Sequence, residues 1–189
     1  MCGIVGYVGP GTMVGEASGR PLDVALEGLG RLEYRGYDSA GVALVAPGVD
    51  AVAFAKKSGK LANLVQEIET HPLPAATASI GHTRWATHGG PTDTNAHPHL
   101  ADDGRLAVIH NGIVENFATL KAELLAEGVT FRSETDTEVA AQLLARAYRE
   151  TKDLTLAMGQ VARRLEGTFT LLAVHADAPD TVVGARHDS

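Results

Sequence analysis

Apolar residues recur along this chain with two different periods, and the period distinguishes helices from strands. A spacing near 3.6 residues predicts amphipathic helices at Leu22–Leu32, Leu61–Ile68, Phe117–Leu124, Val139–Arg149 and Leu156–Leu165. Short runs rich in Val, Ile and Ala predict strands at Gly3–Val8, Gly41–Val45, Ala51–Lys56, Ala78–Thr83, Leu106–His110, Phe169–Val174 and Thr181–Ala185. Because strands and helices do not alternate regularly, the order predicts a layered α+β fold with antiparallel strands rather than a doubly wound parallel sheet.

Cap and turn residues indicate where several of the predicted helices begin or end. Thr135 and Glu138 have the spacing of a capping box ahead of a helix. Asn116 suits an N-cap, and Gly128 suits the position just after a helix end. The Gly- and Ser-rich stretch within Gly9–Pro21 predicts a surface insertion before the first helix.

The C-terminal pattern predicts a hairpin that lacks a neighbour. Phe169–Val174 and Thr181–Ala185 are two apolar strands in succession, and Ser189 ends the sequence shortly after them. An apolar edge strand normally needs a partner, so we expect a domain that is truncated at its C-terminus. The length of 189 residues predicts one domain over residues 1–189.

Composition and charge exclude several classes of function. Lys and Arg number 16 against 23 Asp and Glu, which gives a formal net charge of −7 and disfavours nucleic acid and anionic membrane surfaces as partners. No apolar run approaches the roughly 18 residues of a membrane span, and the N-terminus lacks the basic start of a signal peptide. We therefore expect a cytoplasmic protein.

The single cysteine, Cys2, follows the initiator Met1. Once Met1 is removed, the same residue carries a thiol and an α-amine that can accept the thiol proton, one of the known ways to activate a weak nucleophile. The alternative is a small buried apolar residue, which is the usual role of a lone cysteine in a cytosolic protein.

A second group of candidate residues lies where a predicted strand enters a glycine-rich loop. The segment Gly81–Gly90 contains Arg84, Trp85, Thr87 and His88. Arginine can bind a carboxylate through two parallel hydrogen bonds, and Trp85 can act as a lid or as a core anchor. A solvated arginine beside a packed tryptophan is the structural alternative.

Two further segments have both a structural and a functional interpretation. The Asn111 amide and the Gly112 N–H can point at one oxygen, as an oxyanion hole requires. However, Asn-Gly is also the commonest hairpin turn, and the turn interpretation is the stronger one for this pair alone. The acidic segment Ser133–Glu138 is explained by helix capping, although an outward carboxylate there can pair with a substrate ammonium.

Histidines raise a rival hypothesis of a metal site. On an extended segment His97 and His99 share one face, with His82 or His88 as a third ligand. No carboxylate or further histidine stands at a recurrent ligand spacing, so we expect neither a metal nor another cofactor.

Taken together, these segments resemble the glutaminase domain of the class II glutamine amidotransferases, which are N-terminal-nucleophile hydrolases. The matching strings run in order along the chain: Cys2–Gly6, Glu33–Gly41, His82–Gly89, Asn95–His99, His110–Asn116 and Ser133–Glu138. The resemblance implies a four-layer αββα sandwich of two antiparallel sheets. It also implies that Cys2 attacks the glutamine side-chain amide with its own amine as base, and that Asn111 and Gly112 form the oxyanion hole.

The resemblance implies roles for the remaining candidates as well. Arg84 is expected to hold the α-carboxylate of L-glutamine and Asp136 its α-ammonium, while Trp85 controls the passage of ammonia. Thr87 and His88 are expected to line the same pocket. Arg35 and His97 match motif positions near the site and are possible accessory residues.

The strings are most similar to the hexosamine-forming branch of this family. That branch implies fructose 6-phosphate as the ammonia acceptor, bound by isomerase domains that this chain does not contain, and a homodimeric full-length enzyme. Two alternatives stay open: the glutaminase domain of another class II amidotransferase, and a catalytically silent module that binds glutamine.

Overall fold

The computed structural model describes residues 2–9, 20–86 and 89–188. Within these ranges the helices are α1 (Arg20–Leu32), α2 (Leu61–Thr70), α3 (Phe117–Ala126), α4 (Asp136–Thr151) and α5 (Leu154–Ala162), with a 3₁₀ turn at Glu33–Arg35. The strands are β1 (Gly3–Val8), β2 (Ser39–Val45), β3 (Ala53–Ser58), β4 (Ala78–Arg84), β5 (His99–Leu100), β6 (Leu106–Val114), β7 (Gly167–His175) and β8 (Ala178–His187).

These strands form two antiparallel sheets that pack face to face. The first has the order β1-β4-β2-β3 and the second the order β5-β6-β7-β8. Apolar side chains from both sheets, including Ile80 of β4 and Ile109 of β6, form the core between them. Burial of such surface is the main force that holds two sheets together.

Helices cover the outer face of each sheet. Helices α1 and α2 pack on the first sheet, and α3 and α4 pack with α5 on the second. Every residue of β2 and of β4 is buried, because these central strands are covered on both faces. The predicted α+β class and the four-layer αββα sandwich are therefore confirmed.

The predicted caps are confirmed in part. The Thr135 side chain accepts the N–H of Glu138 at the start of α4, and Gly128 follows the end of α3 with a φ of +87°. Asn116 precedes α3 without a side-chain cap. Its amide instead donates to the Arg164 carbonyl and its side-chain oxygen accepts the Glu166 N–H, which ties α3 to the chain before β7.

Several boundaries differ from the prediction. The strand predicted to end at His110 continues to Val114, and the short strand β5 was not predicted. Helix α5 begins two residues earlier than its apolar pattern, because Asp153 caps it by accepting the N–H groups of Thr155 and Leu156. The helix ends at Ala162. Of the predicted insertion, residues 10–19 lie outside the described residues.

The predicted C-terminal hairpin is confirmed, since β7 and β8 pair antiparallel. Strand β8 lies at the edge of its sheet among the described strands. None of the helices in the described ranges is both long and apolar enough to cross a bilayer.

Candidate functional site

The pairing of β1 with β4 determines where the cysteine lies. Gly3 stands opposite Thr83 in this antiparallel pair, so Cys2 is brought to the end of β4, beside Arg84 and Trp85. The Gly3 N–H donates to Thr83 Oγ1 over 3.2 Å. The Trp85 N–H donates to Cys2 Sγ over 3.3 Å.

The electrostatic surroundings keep this thiol protonated near neutral pH. Burial is the largest influence and raises the pKa of Cys2 above its ordinary value, whereas the Trp85 N–H and the charge of Arg84 lower it in part. Since the thiolate is the nucleophilic form of cysteine, any attack by Cys2 needs a base that takes the proton.

Asn111 and Gly112 lie inside a strand and not in a turn. They stand opposite Thr170 and Phe169 in the β6–β7 pair, so the hairpin-turn interpretation is wrong. Gly112 has a φ of +135°, and an added Cβ would stand 2.0 Å from the Thr168 carbonyl oxygen. Only glycine fits this backbone. The strand therefore departs from the usual extended conformation at Gly112, the residue that follows Asn111.

One cavity of about 260 Å³ brings most of the candidate residues together. Its walls are formed by Cys2, Arg84, Trp85, His97, His110, Asn111, Gly112, Ile113, Thr135, Asp136, Thr137 and Thr168. The first sheet supplies the thiol side, and β6 with the start of α4 supplies the other side. A hydrogen-bonding contact of 2.8 Å between His82 Nε2 and the His110 carbonyl oxygen joins the two sheets beneath it.

Arg84 provides a buried positive charge in this cavity. It is 3% exposed, and its guanidinium donates to the carbonyl oxygens of Gly89 and Gly90, each over 3.2 Å. Burial lowers the pKa of Arg84, while the nearby Cys2, Asp38 and Asp136 raise it. Arginine remains charged in any protein environment, so the cavity wall keeps a cation at this point.

Asp136 provides the opposite charge. It is the first residue of α4, is 4% exposed, and accepts the Val114 N–H through Oδ2 over 2.9 Å. That bond links the start of α4 to the end of β6. Thr135 is the capping residue, and Asp136 lies in the acidic first turn that helix capping explains. Asp136 also lines the cavity.

Trp85 lies at the mouth of the cavity and is 46% exposed. Its ring packs edge to face against Tyr37, with ring centroids 5.5 Å apart. The Ala86 N–H donates to Asp38 Oδ2 over 2.7 Å, which fixes the backbone after the tryptophan. The side chain is therefore placed as a partial cover and not as a core anchor.

The structure does not bring every predicted residue to this cavity. Arg35 belongs to the 3₁₀ turn after α1 and is not among the lining residues. Thr87 and His88 lie outside the described residues. His97 does line the cavity and is 5% exposed.

Sequence reasoning missed several lining residues, notably Thr137 and Thr168. Thr137 lies within the string Ser133–Glu138, so the clustering of hydroxyl and acidic residues there was the available signal. Nothing in the local pattern around Thr168 marks it, because β7 reaches the cavity only through its pairing with β6.

The histidines of the metal hypothesis pack against one another. The rings of His82 and His97 stack with centroids 4.1 Å apart, and His99 meets His97 edge on at 4.9 Å. Over residues 2–9, 20–86 and 89–188, no group of three or more His, Cys, Asp or Glu side chains is arranged to hold a metal ion. Burial lowers the pKa of His82 to about 3 and the pKa of His97 and His99 well below the ordinary value, so these three rings are neutral.

The sandwich and the position of its thiol define a class of protein. Two antiparallel sheets between helical layers, with a cysteine just before the first strand, form the fold of the N-terminal-nucleophile amidotransferases. A structure described as the allosteric regulatory enzyme of purine biosynthesis is similar, with a TM-score of 0.75 and 26% identity over 93% of this chain and 36% of that one. The glutamine phosphoribosylpyrophosphate amidotransferase of B. subtilis gives a TM-score of 0.70 and 25% identity over 93% of this chain and 35% of that one.

The chain belongs to the glutamine amidotransferase domain family, whose model matches residues 82–188. Its full length is 63% identical to a protein of Leifsonia xyli subsp. xyli and 64% identical to one of Streptomyces coelicolor. Both relatives are named glutamine–fructose-6-phosphate aminotransferase (isomerizing). The chain spans 29% of the length of each of these relatives.

Proposed function

We propose that this chain hydrolyses the side-chain amide of L-glutamine to glutamate and ammonia. The observation that carries the proposal is the cavity itself, which combines a thiol, an Asn-Gly pair and two opposite buried charges. A free amino acid carries one carboxylate and one ammonium. Arg84 and Asp136 match those two groups in charge, and each is held by hydrogen bonds to backbone groups.

Substrate binding leaves the amide end of glutamine facing Cys2. Arg84 holds the α-carboxylate and Asp136 the α-ammonium, while Trp85 covers the mouth of the cavity. We expect Thr87 and His88 to complete the pocket. Two charge-assisted contacts at one end fix the orientation of the side chain, so the amide carbon is placed next to the sulfur.

The reaction then follows from the groups on both sides of that carbon. The α-amine of Cys2, freed when Met1 is removed, takes the thiol proton, and the sulfur forms a bond to the amide carbon. The oxygen that becomes negative is stabilised by the Asn111 side chain and the Gly112 N–H. The C–N bond breaks, ammonia leaves with the proton from the amine, and a glutamyl thioester remains. Water hydrolyses this thioester, which releases glutamate and restores the thiol.

The names of the relatives indicate which molecule accepts the ammonia. Because the relatives at 63% and 64% identity are named fructose-6-phosphate aminotransferases, we expect the ammonia to convert fructose 6-phosphate to glucosamine 6-phosphate in a longer enzyme. Residues 1–189 would be its glutaminase domain, and the sugar would bind to isomerase domains. We further expect that enzyme to be a cytoplasmic homodimer without nucleic acid or membrane partners.

Glutamate release from L-glutamine by the purified chain tests the proposal. We expect the wild type to turn over L-glutamine and Cys2→Ala to turn over none. We also expect no turnover of L-asparagine, because its side chain is one methylene shorter and its amide carbon does not reach the sulfur. Mass spectrometry of the same sample shows whether Met1 has been removed. A processed chain that binds glutamine without releasing glutamate would contradict hydrolysis and support the silent binding module.

A further inference from the structure

One buried hydroxyl lies at the centre of the polar groups behind the cavity. Thr137 Oγ1 is 2.9 Å from His97 Nε2 and 3.0 Å from His110 Nδ1. It is also 3.4 Å from Asp136 Oδ1. Thr137 is 1% exposed, and these partners are at most 5% exposed, so water does not compete for these contacts.

Counting protons restricts how the four groups can be bonded. A hydroxyl donates one hydrogen and accepts up to two, and an ionised carboxylate only accepts. If Thr137 donates to Asp136, the only partner that cannot donate, both imidazoles must donate to the Thr137 oxygen. His110 Nδ1 also lies 3.7 Å from Asp136 Oδ1, where a hydrogen on that nitrogen faces a negative charge.

The unpartnered ring atoms agree with this assignment. His97 Nδ1 and His110 Nε2 are buried and have no hydrogen-bond partner among the described residues. A neutral imidazole carries a hydrogen on one nitrogen only. With the hydrogens on His97 Nε2 and His110 Nδ1, the two unpartnered atoms are bare acceptors. Any other arrangement would leave a buried N–H donor without a partner, which is the rarer and more costly case.

We propose that Thr137 is a positioning residue of this site, whose hydroxyl fixes the tautomers of His97 and His110 and holds the carboxylate of Asp136. All three of these partners line the cavity, so one hydroxyl keeps its wall in a single arrangement. The tautomer assignment stands on the hydrogen-bond geometry. Its effect on turnover rests on the proposed glutamine hydrolysis.

Long-range proton–nitrogen NMR of the imidazole side chains tests the tautomers without any assay of activity. We expect the hydrogen on Nδ1 of His110 and on Nε2 of His97 in the wild type and in Thr137→Ser, which keeps the hydroxyl. Thr137→Val is expected to change the tautomer of at least one ring. The opposite tautomer on either ring of the wild type would overturn the proposal.

Kinetics of the same variants test the positioning role. For Thr137→Val we expect KM for glutamine to rise about tenfold through the displaced Asp136, with a smaller change in kcat. Thr137→Ser should stay within about twofold of the wild type. Thr151→Val, near the C-terminal end of the same helix, is the control for a threonine-to-valine change and should leave KM unchanged.

The outcomes separate the two proposals. An inactive wild type with the expected tautomers would refute glutamine hydrolysis and keep the assignment. An active Thr137→Val with unchanged KM and unchanged tautomers would refute the role of Thr137 alone. If Thr137→Val fails to fold, a Thr137→Ser variant with altered tautomers and a raised KM would still contradict the proposal.

Discussion

The backbone N–H of Trp85 donates a hydrogen bond to Cys2 Sγ over 3.3 Å, although 83 residues separate the two in the chain. The antiparallel pairing of β1 with β4 brings them together, because it places the first residues of one strand beside the last residues of the other. The nucleophile proposed here is thus held by the same backbone that carries Arg84 and the covering indole. A displacement of the end of β4 would move the thiol and the Arg84 guanidinium together.

Gly112→Ala should reduce both stability and turnover. The added Cβ would stand 2.0 Å from the Thr168 carbonyl oxygen at a φ of +135°, so the backbone of β6 next to Asn111 must move. We expect a loss of at least about 2 kcal/mol in the free energy of unfolding and at least a tenfold loss of kcat, or about 1.4 kcal/mol of transition-state stabilisation.

Gly48→Ala is the matched control for that variant. Gly48 has a φ of +74° with nothing within 4 Å of an added Cβ, so only the backbone cost of about 1 kcal/mol applies. Denaturant unfolding and glutamate release measured on both variants separate the two effects. Equal losses of stability and full activity in Gly112→Ala would show that this backbone is not part of the site.

Asp136→Asn should weaken glutamine binding more than it slows the chemistry. Asparagine keeps an oxygen for the Val114 N–H but removes the charge that we propose binds the substrate ammonium. A hydrogen bond to a charged group contributes about 1.5 to 3 kcal/mol, so KM should rise about 10- to 150-fold. Steady-state kinetics check this, with the exposed Asp180→Asn as control. A fall in kcat at unchanged KM would place Asp136 elsewhere in the reaction.

Much of the fold could be predicted because its signals are local. The apolar periods located every long element, and Thr135 marked the start of α4. Strand β5 was not predicted because its two residues, His99 and Leu100, are too few to show an apolar period. They form a strand only through their pairing with β6. The end of β6 was misplaced because Asn-Gly is a strong turn signal, which the pairing with β7 overrides.

The residues of the site also fall into two groups, those that local sequence predicts and those that depend on tertiary contacts. Cys2, Arg84 and Asp136 could be found because each stands in a string of unusual composition. The contribution of Thr168 could not, because it depends on the pairing of β7 with β6. The contacts of Thr137 with two rings depend equally on how α4 docks on the second sheet. Such contacts have no counterpart in the spacing of residues along the chain.

Glu138→Ala should be strongly destabilising. This buried carboxylate accepts the backbone N–H groups of Arg132 and Ser133 and the hydroxyl of Ser133. Its removal leaves the N–H groups of Arg132 and Ser133 without their acceptor. The Ser133 hydroxyl loses its shortest contact but keeps Thr135 as a partner, so we expect a loss of about 2 kcal/mol or more. Denaturant unfolding measures the loss, and the exposed Glu150→Ala on the same helix should change stability by less than about 0.5 kcal/mol. Equal values for the two variants would contradict this account of the segment before α4.

The buried His82 should make the protein sensitive to acid. Its folded pKa is lowered to about 3, against an ordinary value of 6.5. Between these two pH values the unfolded chain binds a proton that the native chain does not. The free energy of unfolding therefore falls as the pH drops through this range, by up to about 1.4 kcal/mol per pH unit for this residue.

His82→Gln tests that slope, because a glutamine amide can still donate to the His110 carbonyl. We expect unfolding measured from pH 6 to pH 4 to depend less steeply on pH in this variant, by up to about 1.4 kcal/mol per pH unit. His71→Gln, at an exposed site, should keep the wild-type slope. An unchanged slope in His82→Gln would mean that His82 takes up its proton over the same pH range in the native and the unfolded chain, which contradicts the lowered pKa.

Intact mass spectrometry with an electrophilic glutamine analogue tests the central claim most directly. The account predicts a wild-type chain that has lost Met1 and gains the mass of one adduct, with L-glutamine protecting against the reaction. Cys2→Ala should gain none. A processed wild type that takes up no adduct, or a Cys2→Ala variant that takes up as much as the wild type, would contradict a substrate-shaped nucleophile site at Cys2.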